Sequence, residues 1–545
     1  MLRHRRRLLY AALIWAGVVL VGLVNSPAIA QITHPVATTA RPYQHVLLLS
    51  VDGLRQADLI DPALQSSLPN LKQLAQTGVS YTNAYTSSPS DSFPGILNYL
   101  TGAGPKTTGV YYDDSYDRQL IAPGGAASSP KGSEIAYDES IDKDTTLLSG
   151  GGNFSTGSLD PAKLPLNCQG QTCTPVYPHS YLKVNTIFEV ARAAGLHTAY
   201  SDKHPAYDLV NGPSGQGVVD LYTPEINAKV ALQNGKLVDA STAENPTSLT
   251  FKSATKRVDT TEAYDDLKVN AILNQIKGMN ALATARPGVP ALFGMNFQAV
   301  SVAQKDRAVG GIAADGTPSE QMKHALSHTD ASIGRMVAAL KQQNLLNSTL
   351  MVVTAKHGQS PRLGEATLIA NTLISDALQA AGVKVAHSIQ DDVGLFWLKD
   401  ANQTAKASQV LEQLKRSNPA TPIDQVLSGG RLLQAGLTTR DRNSRTPDLL
   451  VLFRSGVVAV DDPSDSNKRA EHGGFSEDDT HVALIVSGGL PDRLHGIQRR
   501  DRVSTTQIAV TALESLGLNP NDLQGAKAEG TRALPGLEMA MNRRA

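Results

Sequence analysis

The sequence has no excess of charge of either sign, and it has few aromatic residues. Its 50 lysines and arginines equal its 50 aspartates and glutamates, and aromatic side chains make up only 5% of the chain. Nucleic-acid binding depends on clustered positive charge that neutralises phosphates. The composition lacks this electrostatic footprint, so we expect no nucleic-acid duplex as a partner.

Cysteine is nearly absent, and the two cysteines lie in one short segment, LNCQGQTCTP. Metal binding by Cys168 and Cys173 is an alternative, but no partner ligands lie nearby in the sequence. In an exported protein, two such cysteines are expected to form a disulfide that closes a small loop. The sequence therefore predicts a Cys168–Cys173 disulfide.

Only one long apolar run exists, and it lies near the N-terminus. Residues 11–24 follow the basic start MLRHRRRLLY and precede a small-residue segment that ends at Ala30. This order is typical of a cleaved secretory signal, residues 1–30, with cleavage near Ala30–Gln31. The alternative is a membrane anchor, but the 14 apolar residues are fewer than the roughly 20 that span a bilayer. We therefore expect a periplasmic or secreted protein without a stable membrane anchor after cleavage.

Internal repeats and a glycine-rich dinucleotide fingerprint are also missing. Strand-like and helix-like segments alternate along the chain, which predicts an α/β fold with a mostly parallel sheet covered on both faces. The 45 glycines and 29 prolines indicate many loops. We predict a core of residues 31–360 and 441–545, a loop-rich insertion at 115–181 and a small inserted α+β subdomain at 361–440. The main sheet is expected to resume with TPDLLVLF.

One strand-like run ends on a carboxylate. In HVLLLSVDGLR, four apolar residues precede Asp52 and Gly53. Parallel sheets present charged groups at the carboxyl ends of their strands, where ligands bind. The alternative is a buried strand followed by an ordinary Asp-Gly turn. Asp52 is therefore a candidate metal ligand, provided that other ligands follow further along the chain.

A serine begins the next strong helical pattern, SFPGILNYLTG. Ser92 would lie at the helix N-terminus, where unpaired N–H groups and the helix dipole favour a negative oxygen. A hydroxyl there could be activated, or a phosphoryl group held. The alternative is an ordinary helix-capping serine.

Two further segments carry ionisable side chains next to predicted strands. STLMVVTAKHGQS ends its apolar run before Lys356 and His357, and EHGGFSEDDTHVAL contains His472. Both histidines are candidate metal ligands. Lys356 either acts on a phosphate group, extends its amine from a buried strand into water, or forms half of an ion pair.

Other residues of ligand type have simpler explanations. Asp202 and His204 lie in a loop whose composition indicates a turn, with metal binding as the alternative. Asp448 is expected to be a turn residue at the start of a strand. The acidic residues around His472 are expected to form a solvated loop, with Asp478 or Asp479 as an alternative metal ligand. This acidic group comprises Glu471, Glu477, Asp478 and Asp479.

Four segments, in their order along the chain, resemble the alkaline phosphatase superfamily and, within it, the type I phosphodiesterase/nucleotide pyrophosphatase branch. They are VDGLR, SPSDSFPGILNYLTG, the strand ending in Lys356-His357-Gly358, and EHGGFSEDDTHVAL. The resemblance implies an alkaline-phosphatase-like fold and a nucleophile before Phe-Pro that forms a covalent phospho-enzyme. It also implies two zinc ions that hold the attacking and leaving oxygens in line.

The resemblance assigns roles to residues of this chain. Ser92 would be the nucleophile and Phe93 part of the substrate-binding site. Asp52 and His357 would bind the metal ion beside Ser92, and His472 would bind the other ion. Where the branch has an asparagine that contacts a phosphate oxygen, this chain has Asp113.

The departures from the branch are as informative as the matches. Val300 and Gln304 align with an aspartate and a histidine that should bind the second metal, and Lys356 replaces an aspartate of the first site. Two carboxylates are lost and an ammonium is gained, which roughly offsets the charge of one missing divalent cation. We therefore predict a reduced site with one divalent ion rather than two, zinc being expected, or with none. Lys356 would supply part of the missing positive charge as a catalytic residue.

The sequence thus predicts an exported hydrolase of small phosphoester substrates, of the phosphodiesterase or nucleotide pyrophosphatase type. A sulfatase or phosphonate hydrolase is one alternative, although the Cys/Ser-x-Pro-x-Arg pattern of sulfatases lacks its arginine here. A second alternative is a catalytically silent member that binds a ligand through the same cleft, as the substitutions at Val300 and Lys356 would suggest.

Overall fold

A large central sheet organises the computed structural model, which describes residues 41–417 and 421–538. Its strands begin and end as follows: β1 His45–Val51, β2 Val79–Tyr81, β3 Thr198–Ser201, β4 Asp220–Tyr222, β5 Leu292–Phe297, β6 Thr349–Thr354, β7 Ile485–Gly488 and β8 Ile497–Arg499. The spatial order is β8-β2-β7-β6-β1-β5-β3-β4. Only β7 runs antiparallel to its neighbours in this sheet. The mostly parallel α/β architecture confirms the predicted fold class.

The central strand β1 is buried on both faces. It pairs in parallel with β5 on one side and with β6 on the other. Val46 and Leu48 point into one hydrophobic core, and Leu47 and Leu49 point into a second core on the opposite face. This alternation follows from the two-residue period of a strand. It explains why HVLLLSV is apolar at almost every position.

Helices cover both faces of the sheet. The core that contains Val46 also contains residues of the helices Ser92–Thr101, Ile187–Ala193 and Gln507–Ser515. The opposite core contains residues of the helices Pro69–Gln76, Val258–Ile276, Ala299–Lys305 and Glu320–Gln342. Shorter helices are Gln56–Ile60, Pro105–Thr108, Pro178–Tyr181, Glu477–Thr480 and Gln524–Glu529. Within the described ranges, no helix combines the length and apolarity needed to cross a membrane.

Several small sheets and hairpins are separate from the central sheet. The region predicted to be loop-rich contains the hairpins Asp114–Asp117/Ser133–Ala136 and Leu166–Gln169/Thr172–Pro175. Cys168 and Cys173 face each other in the second hairpin and form the predicted disulfide. The other small sheets are Ala84–Tyr85/Val503–Ser504, Lys229–Gln233/Lys236–Asp239/Lys252–Ser253 and Thr367–Ala370/Val457–Val460.

A separate four-stranded sheet follows β6 in the chain. Its strands are Val385–Gln390, Val393–Leu398, Ile423–Ser428 and Leu449–Phe453, and the helices Thr372–Ala380 and Thr404–Ser417 share its hydrophobic core. The prediction that TPDLLVLF returns to the main sheet was wrong. Leu449–Phe453 instead lies between two strands of the smaller sheet. An apolar strand does not reveal by itself which of two sheets it joins.

Candidate functional site

Asp52 lies at the carboxyl end of β1 and is buried there, with 1% of its surface exposed. Gly53 follows with a φ of +82°, a left-handed conformation that favours glycine and turns the chain sharply after the carboxylate. Asp52 Oδ2 accepts hydrogen bonds from Asn296 Nδ2 at 3.1 Å and Gln298 Nε2 at 2.7 Å. Asp52 Oδ1 has no hydrogen-bond partner among the described residues. Oδ1 of this buried carboxylate therefore remains available to a ligand.

Ser92 is the first residue of the helix Ser92–Thr101, as predicted. Asp91 caps this helix, because its side chain accepts a hydrogen bond from the Phe93 N–H at 3.1 Å. Ser92 Oγ lies 3.3 Å from His357 Nε2, and it accepts a hydrogen bond from Lys203 Nζ at 3.2 Å. A buried hydroxyl at a helix N-terminus, beside an imidazole and an ammonium, is in a setting that stabilises a negative oxygen.

Lys356 does not extend into water. Its side chain is completely buried, and Nζ donates hydrogen bonds to Asp202 Oδ1 at 2.9 Å and to the Tyr207 hydroxyl at 2.8 Å. Nζ also lies 3.6 Å from Asp52 Oδ2. Burial lowers the pKa of Lys356 from its usual value, whereas Asp202 and Asp52 oppose that shift. Asp202 and Tyr207 thus hold the amine of Lys356 beside Asp52. The resemblance places an aspartate at position 356.

The two predicted histidine ligands come together. The rings of His357 and His472 stack with centroids 3.8 Å apart. His357 Nε2 also lies 3.7 Å from Asp52 Oδ2, while Nδ1 faces the Gly358 carbonyl oxygen at 2.8 Å. A carbonyl can only accept, so Nδ1 carries the proton and Nε2 presents a lone pair toward Ser92. Burial lowers the pKa of His357 to about 4 and also holds the pKa of His472 well below its usual value.

The charges around Asp52 are largely balanced within the protein. Burial alone would raise the pKa of Asp52, but the ammonium of Lys356, then His357 and Lys203, hold it well below its usual range. Burial also disfavours a charged Lys203, yet Asp52 and the acidic groups nearby raise its pKa above the usual value. Both Asp52 and Lys203 are therefore charged at neutral pH.

Two acidic residues, Asp91 and Asp113, lie on the His472 side of the site. Asp91 Oδ2 accepts a hydrogen bond from the Asp113 N–H at 3.1 Å, and Asp91 Oδ1 lies 3.6 Å from His472 Nδ1. Burial, together with the charge of Asp91, raises the pKa of Asp113 well above its usual value. The Asp113 backbone thus lies against Asp91, the residue that caps the helix of Ser92.

Positions 300 and 304, where the resemblance places ligands of a second metal ion, carry no side chain that zinc favours. Val300 is completely buried in the hydrophobic core beneath the sheet. Gln304 is also buried, and its Nε2 donates a hydrogen bond to the Gly53 carbonyl oxygen at 2.9 Å. Gln304 thus fixes the turn after Asp52.

Several candidates from the sequence lie elsewhere or have structural partners. Asp448 pairs with Arg118 at 2.6 Å, which agrees with its expected structural role. Phe93 is fully buried, with its ring 6.3 Å from that of His204 and 5.2 Å from that of Tyr207. The acidic residues around His472 have partners of their own: Glu471 pairs with Lys305 and Lys468, Glu477 with His481, Asp478 with the Arg362 N–H, and Asp479 with Ser476. The prediction of a solvated loop was wrong for Glu471 and Asp479, because both side chains are buried.

Sequence reasoning missed Lys203, Asn296, Gln298 and Tyr207. Asn296 and Gln298 lie at the carboxyl end of β5, and Lys203 follows β3 by two residues. The rule that drew attention to Asp52, polar groups where parallel strands end, would have found these three. Tyr207 carried no comparable signal.

A separate group of possible metal ligands lies between the hairpin after Asp113 and the strand Val385–Gln390. The ligand atoms of Asp114, Glu134 and His387 lie within 4.8 Å of one another. None of the predicted ligands, Asp52, His357 or His472, belongs to this group. It therefore does not replace the ligands lost at positions 300 and 304.

Known structures share this fold. Murine ectonucleotide pyrophosphatase/phosphodiesterase 5, solved as an inactive variant in complex with AMP, aligns with a TM-score of 0.55 and 15% identity, over 88% of this chain and 96% of that chain. The human protein of the same name aligns with a TM-score of 0.54 and 15% identity, over 87% of this chain and 96% of that chain. At this identity, the likeness shows the fold alone.

Sequence comparisons give a narrower answer. No curated protein sequence matches this chain. The model of the family described as type I phosphodiesterase / nucleotide pyrophosphatase matches residues 46–475, most of the chain. The matched segment contains Asp52, Ser92, Lys356, His357 and His472. The chain therefore belongs to the type I phosphodiesterase/nucleotide pyrophosphatase family of hydrolases.

Proposed function

We propose that this chain is an exported enzyme that hydrolyses phosphodiester or pyrophosphate bonds in small molecules, with Ser92 as its nucleophile. The observation that carries the proposal is the position of Ser92 Oγ, 3.2 Å from Lys203 Nζ and 3.3 Å from His357 Nε2 at a helix N-terminus. The murine relative was solved in complex with AMP, which supports a nucleotide as the first substrate class to test.

The donor atoms present do not fit a pair of zinc ions. The second site would need ligands at Val300 and Gln304, but Val300 is apolar and Gln304 offers only a neutral amide oxygen, which is a poor zinc ligand. One divalent ion does fit, because His357 Nε2 lies 3.3 Å from Ser92 Oγ and 3.7 Å from the Asp52 carboxylate, whose Oδ1 has no other partner among the described residues. Such spacing suits ligands on one ion with bonds of about 2.0–2.2 Å. The ion would polarise a phosphoryl oxygen and stabilise charge on Ser92 Oγ.

The two buried lysines supply the remaining positive charge. Lys203 donates to Ser92 Oγ and would stabilise the alkoxide and the phosphoryl oxygens during attack. Lys356 is held by Asp202 and Tyr207, so its ammonium is fixed before substrate binds. Fixed charges that need no reorganisation are what stabilise a transition state most effectively.

The reaction follows from this arrangement. Ser92 Oγ attacks phosphorus, the bond to the leaving oxygen breaks, and a serine phosphoester remains for water to hydrolyse. In a chain without an ion, the lone pair of His357 Nε2 accepts the Ser92 proton. The ring of His472 stacks on that of His357 and lies close to Asp91.

A chromogenic phosphodiester assay on the purified mature chain tests the role of Ser92. We expect Ser92→Ala to lose turnover by at least ~10³-fold, whereas Ser92→Thr keeps a hydroxyl and retains measurable turnover. Equal activity in the wild type and in Ser92→Ala would identify a contaminant and overturn the proposal. Elemental analysis of the same preparation should find no more than one zinc ion per chain; two would overturn the reduced site.

A silent binding protein is the second candidate, favoured by the loss of ligands at Val300 and Gln304. Calorimetric titration of the wild type with AMP separates the two. Saturable binding of AMP without any turnover of a phosphodiester would move the conclusion to a binding function. Turnover that depends on Ser92 would exclude it.

A further inference from the structure

Two buried carboxylates meet at the junction between the four-stranded sheet and the loop that carries His472. Asp392 lies in the turn between the strands Val385–Gln390 and Val393–Leu398, and Asp479 lies in the short helix Glu477–Thr480. Their exposed fractions are only 7% and 1%. A side chain added at Gly474 would place its first carbon 2.8 Å from Asp392 Oδ2 and closer still to Asp479 Oδ2. Both carboxylates thus press against the same backbone position.

These carboxylates have few partners within the part of the chain that the structure describes. No N–H or hydroxyl of the described residues donates to Asp392, whose carboxyl group contacts that of Asp479 instead, and Asp479 accepts at Oδ2 from the N–H and hydroxyl of Ser476. The hydroxyl of Ser360 is also buried and without a partner. Leaving a buried charged oxygen without a partner is costly, so such groups normally pair with a cation or coordinate a metal.

The residues that carry these oxygens lie around one cavity. Its volume is about 240 Å³, and Asp392, Asp479 and Ser360 are among its lining residues. Asp424 and Gln425 contribute further oxygens, and the exposed Arg454 is the only lysine or arginine among the described lining residues. The donors are all oxygens, with no histidine or cysteine. Oxygen-only donor sets of this kind suit Ca²⁺ rather than Zn²⁺.

We propose that Asp392 and Asp479, with the Ser360 hydroxyl, form a binding site for a divalent cation of the Ca²⁺ class. The cation would join the four-stranded sheet to the loop around His472. That loop is already tied to the core, since the Gly358 N–H donates to the Asp479 carbonyl oxygen at 2.7 Å and the Ser360 N–H donates to the Glu471 carbonyl oxygen at 2.8 Å. The site is separate from Asp52 and does not depend on the proposed chemistry of Ser92.

A shared proton is the competing explanation for the same pair. Burial and the charge of Asp479 raise the pKa of Asp392 well above its usual value, and burial raises the pKa of Asp479 to about 6. Asp391 and Glu471 add negative charge on one side, while Lys468 pairs with both of them. A proton or a cation would relieve the same repulsion, so the experiment must separate the two.

The test is calcium binding to the mature full-length chain, freed of metal with EGTA and titrated with CaCl₂ by calorimetry near pH 7.5. We expect one equivalent to bind with a Kd of about 10⁻³ M or tighter, the range of extracellular calcium modules and stronger sites. Thermal unfolding should shift upward in CaCl₂. Asp392→Asn and Asp479→Asn should each weaken binding at least ten-fold and abolish the shift. Asp376→Asn, on the exposed side of the helix Thr372–Ala380 and outside the cavity, is the matched control and should retain wild-type calcium affinity.

Two results would overturn the proposal. One is the absence of saturable calcium binding to the wild type at millimolar CaCl₂. The other is wild-type calcium affinity in both Asp392→Asn and Asp479→Asn. Asp392→Asn removes a repulsive charge, so its melting temperature without calcium should equal or exceed that of the wild type. That increase without any calcium binding by the wild type would assign the pair to a shared proton.

Discussion

At the scale of single residues, two lysines distinguish this site. Lys203 and Lys356 are both held beside carboxylates, and the first of them contacts Ser92 directly. An ammonium carries half the charge of a divalent ion but is built into the chain. At position 356 the resemblance places an aspartate, and this chain has a lysine. The lysine would therefore change how the site obtains its positive charge.

Replacing Lys203 tests this view. We expect Lys203→Met to lower kcat on a phosphodiester by about 10²- to 10³-fold, the usual cost of removing one donor to a developing negative oxygen. Lys106→Met, which removes an exposed lysine, is the control and should leave kcat unchanged. Unchanged kcat in Lys203→Met would show that the ammonium does not act on the reaction.

His204 should make the free energy of unfolding depend on pH. It is buried beside Phe93 and Tyr207, and burial holds its pKa well below the usual value. As the pH falls below about 6.5, the unfolded chain therefore takes up a proton that the folded chain does not. This residue should reduce the free energy of unfolding by up to about 1.4 kcal/mol per pH unit in that range.

The measurement is urea-induced unfolding of the wild type and of His204→Phe at several pH values between about 5 and 7. The phenylalanine can stack where the imidazole stacks but cannot titrate. The variant should lose stability less steeply than the wild type as the pH falls. Identical slopes would mean that His204 is protonated in the folded state.

At the scale of elements, the helix Ser92–Thr101 owes its position to close contact with the end of β6. Gly95 lies against the backbone of Lys356, where an added carbon would come within 2.8 Å of the Lys356 carbonyl carbon and closer to its oxygen. The glycine thus allows Ser92 and His357 to approach each other. No side chain could be accommodated without moving the backbone.

Gly95→Ala should consequently destabilise the protein by about 1–3 kcal/mol, the usual cost of overpacking, and lower turnover. Gly334→Ala is a matched substitution in the helix Glu320–Gln342, because its added carbon meets only the side-chain amide of Asn70 at 2.5 Å. That side chain can move, so the second variant should cost less stability and preserve turnover. Thermal unfolding and the phosphodiester assay compare the two. Equal effects would contradict the close-contact argument.

At the scale of the whole molecule, the sheet collects groups that are far apart in sequence. Asp52, Asn296, Asp202 and Lys356 follow four neighbouring strands and meet at one edge. The proposed export concerns the whole molecule as well. The disulfide Cys168–Cys173 is consistent with export, because disulfides persist in oxidising compartments. The segment that would direct export, residues 1–30, lies outside the described residues.

Export makes a direct prediction about the mature chain. Produced in a host that secretes it, the protein should begin near Gln31, because the small residues before this position are typical of a signal cleavage site. Mass spectrometry of the purified protein measures its N-terminus. An intact chain beginning at Met1 in the soluble exported fraction would contradict the prediction.

The sequence by itself determined the fold class, the strand that ends at Asp52 and the helix that begins at Ser92. These features are local: each depends on the period of apolar residues or on the chemistry of one side chain. Only the tertiary structure decided which groups meet. Lys203 and Ser92 are 111 residues apart, and Lys356 and Asp202 are 154 apart. Strand order brings such pairs together, and no local pattern encodes that order. For the same reason, the sequence could not show that Asp392 and Asp479 share one cavity.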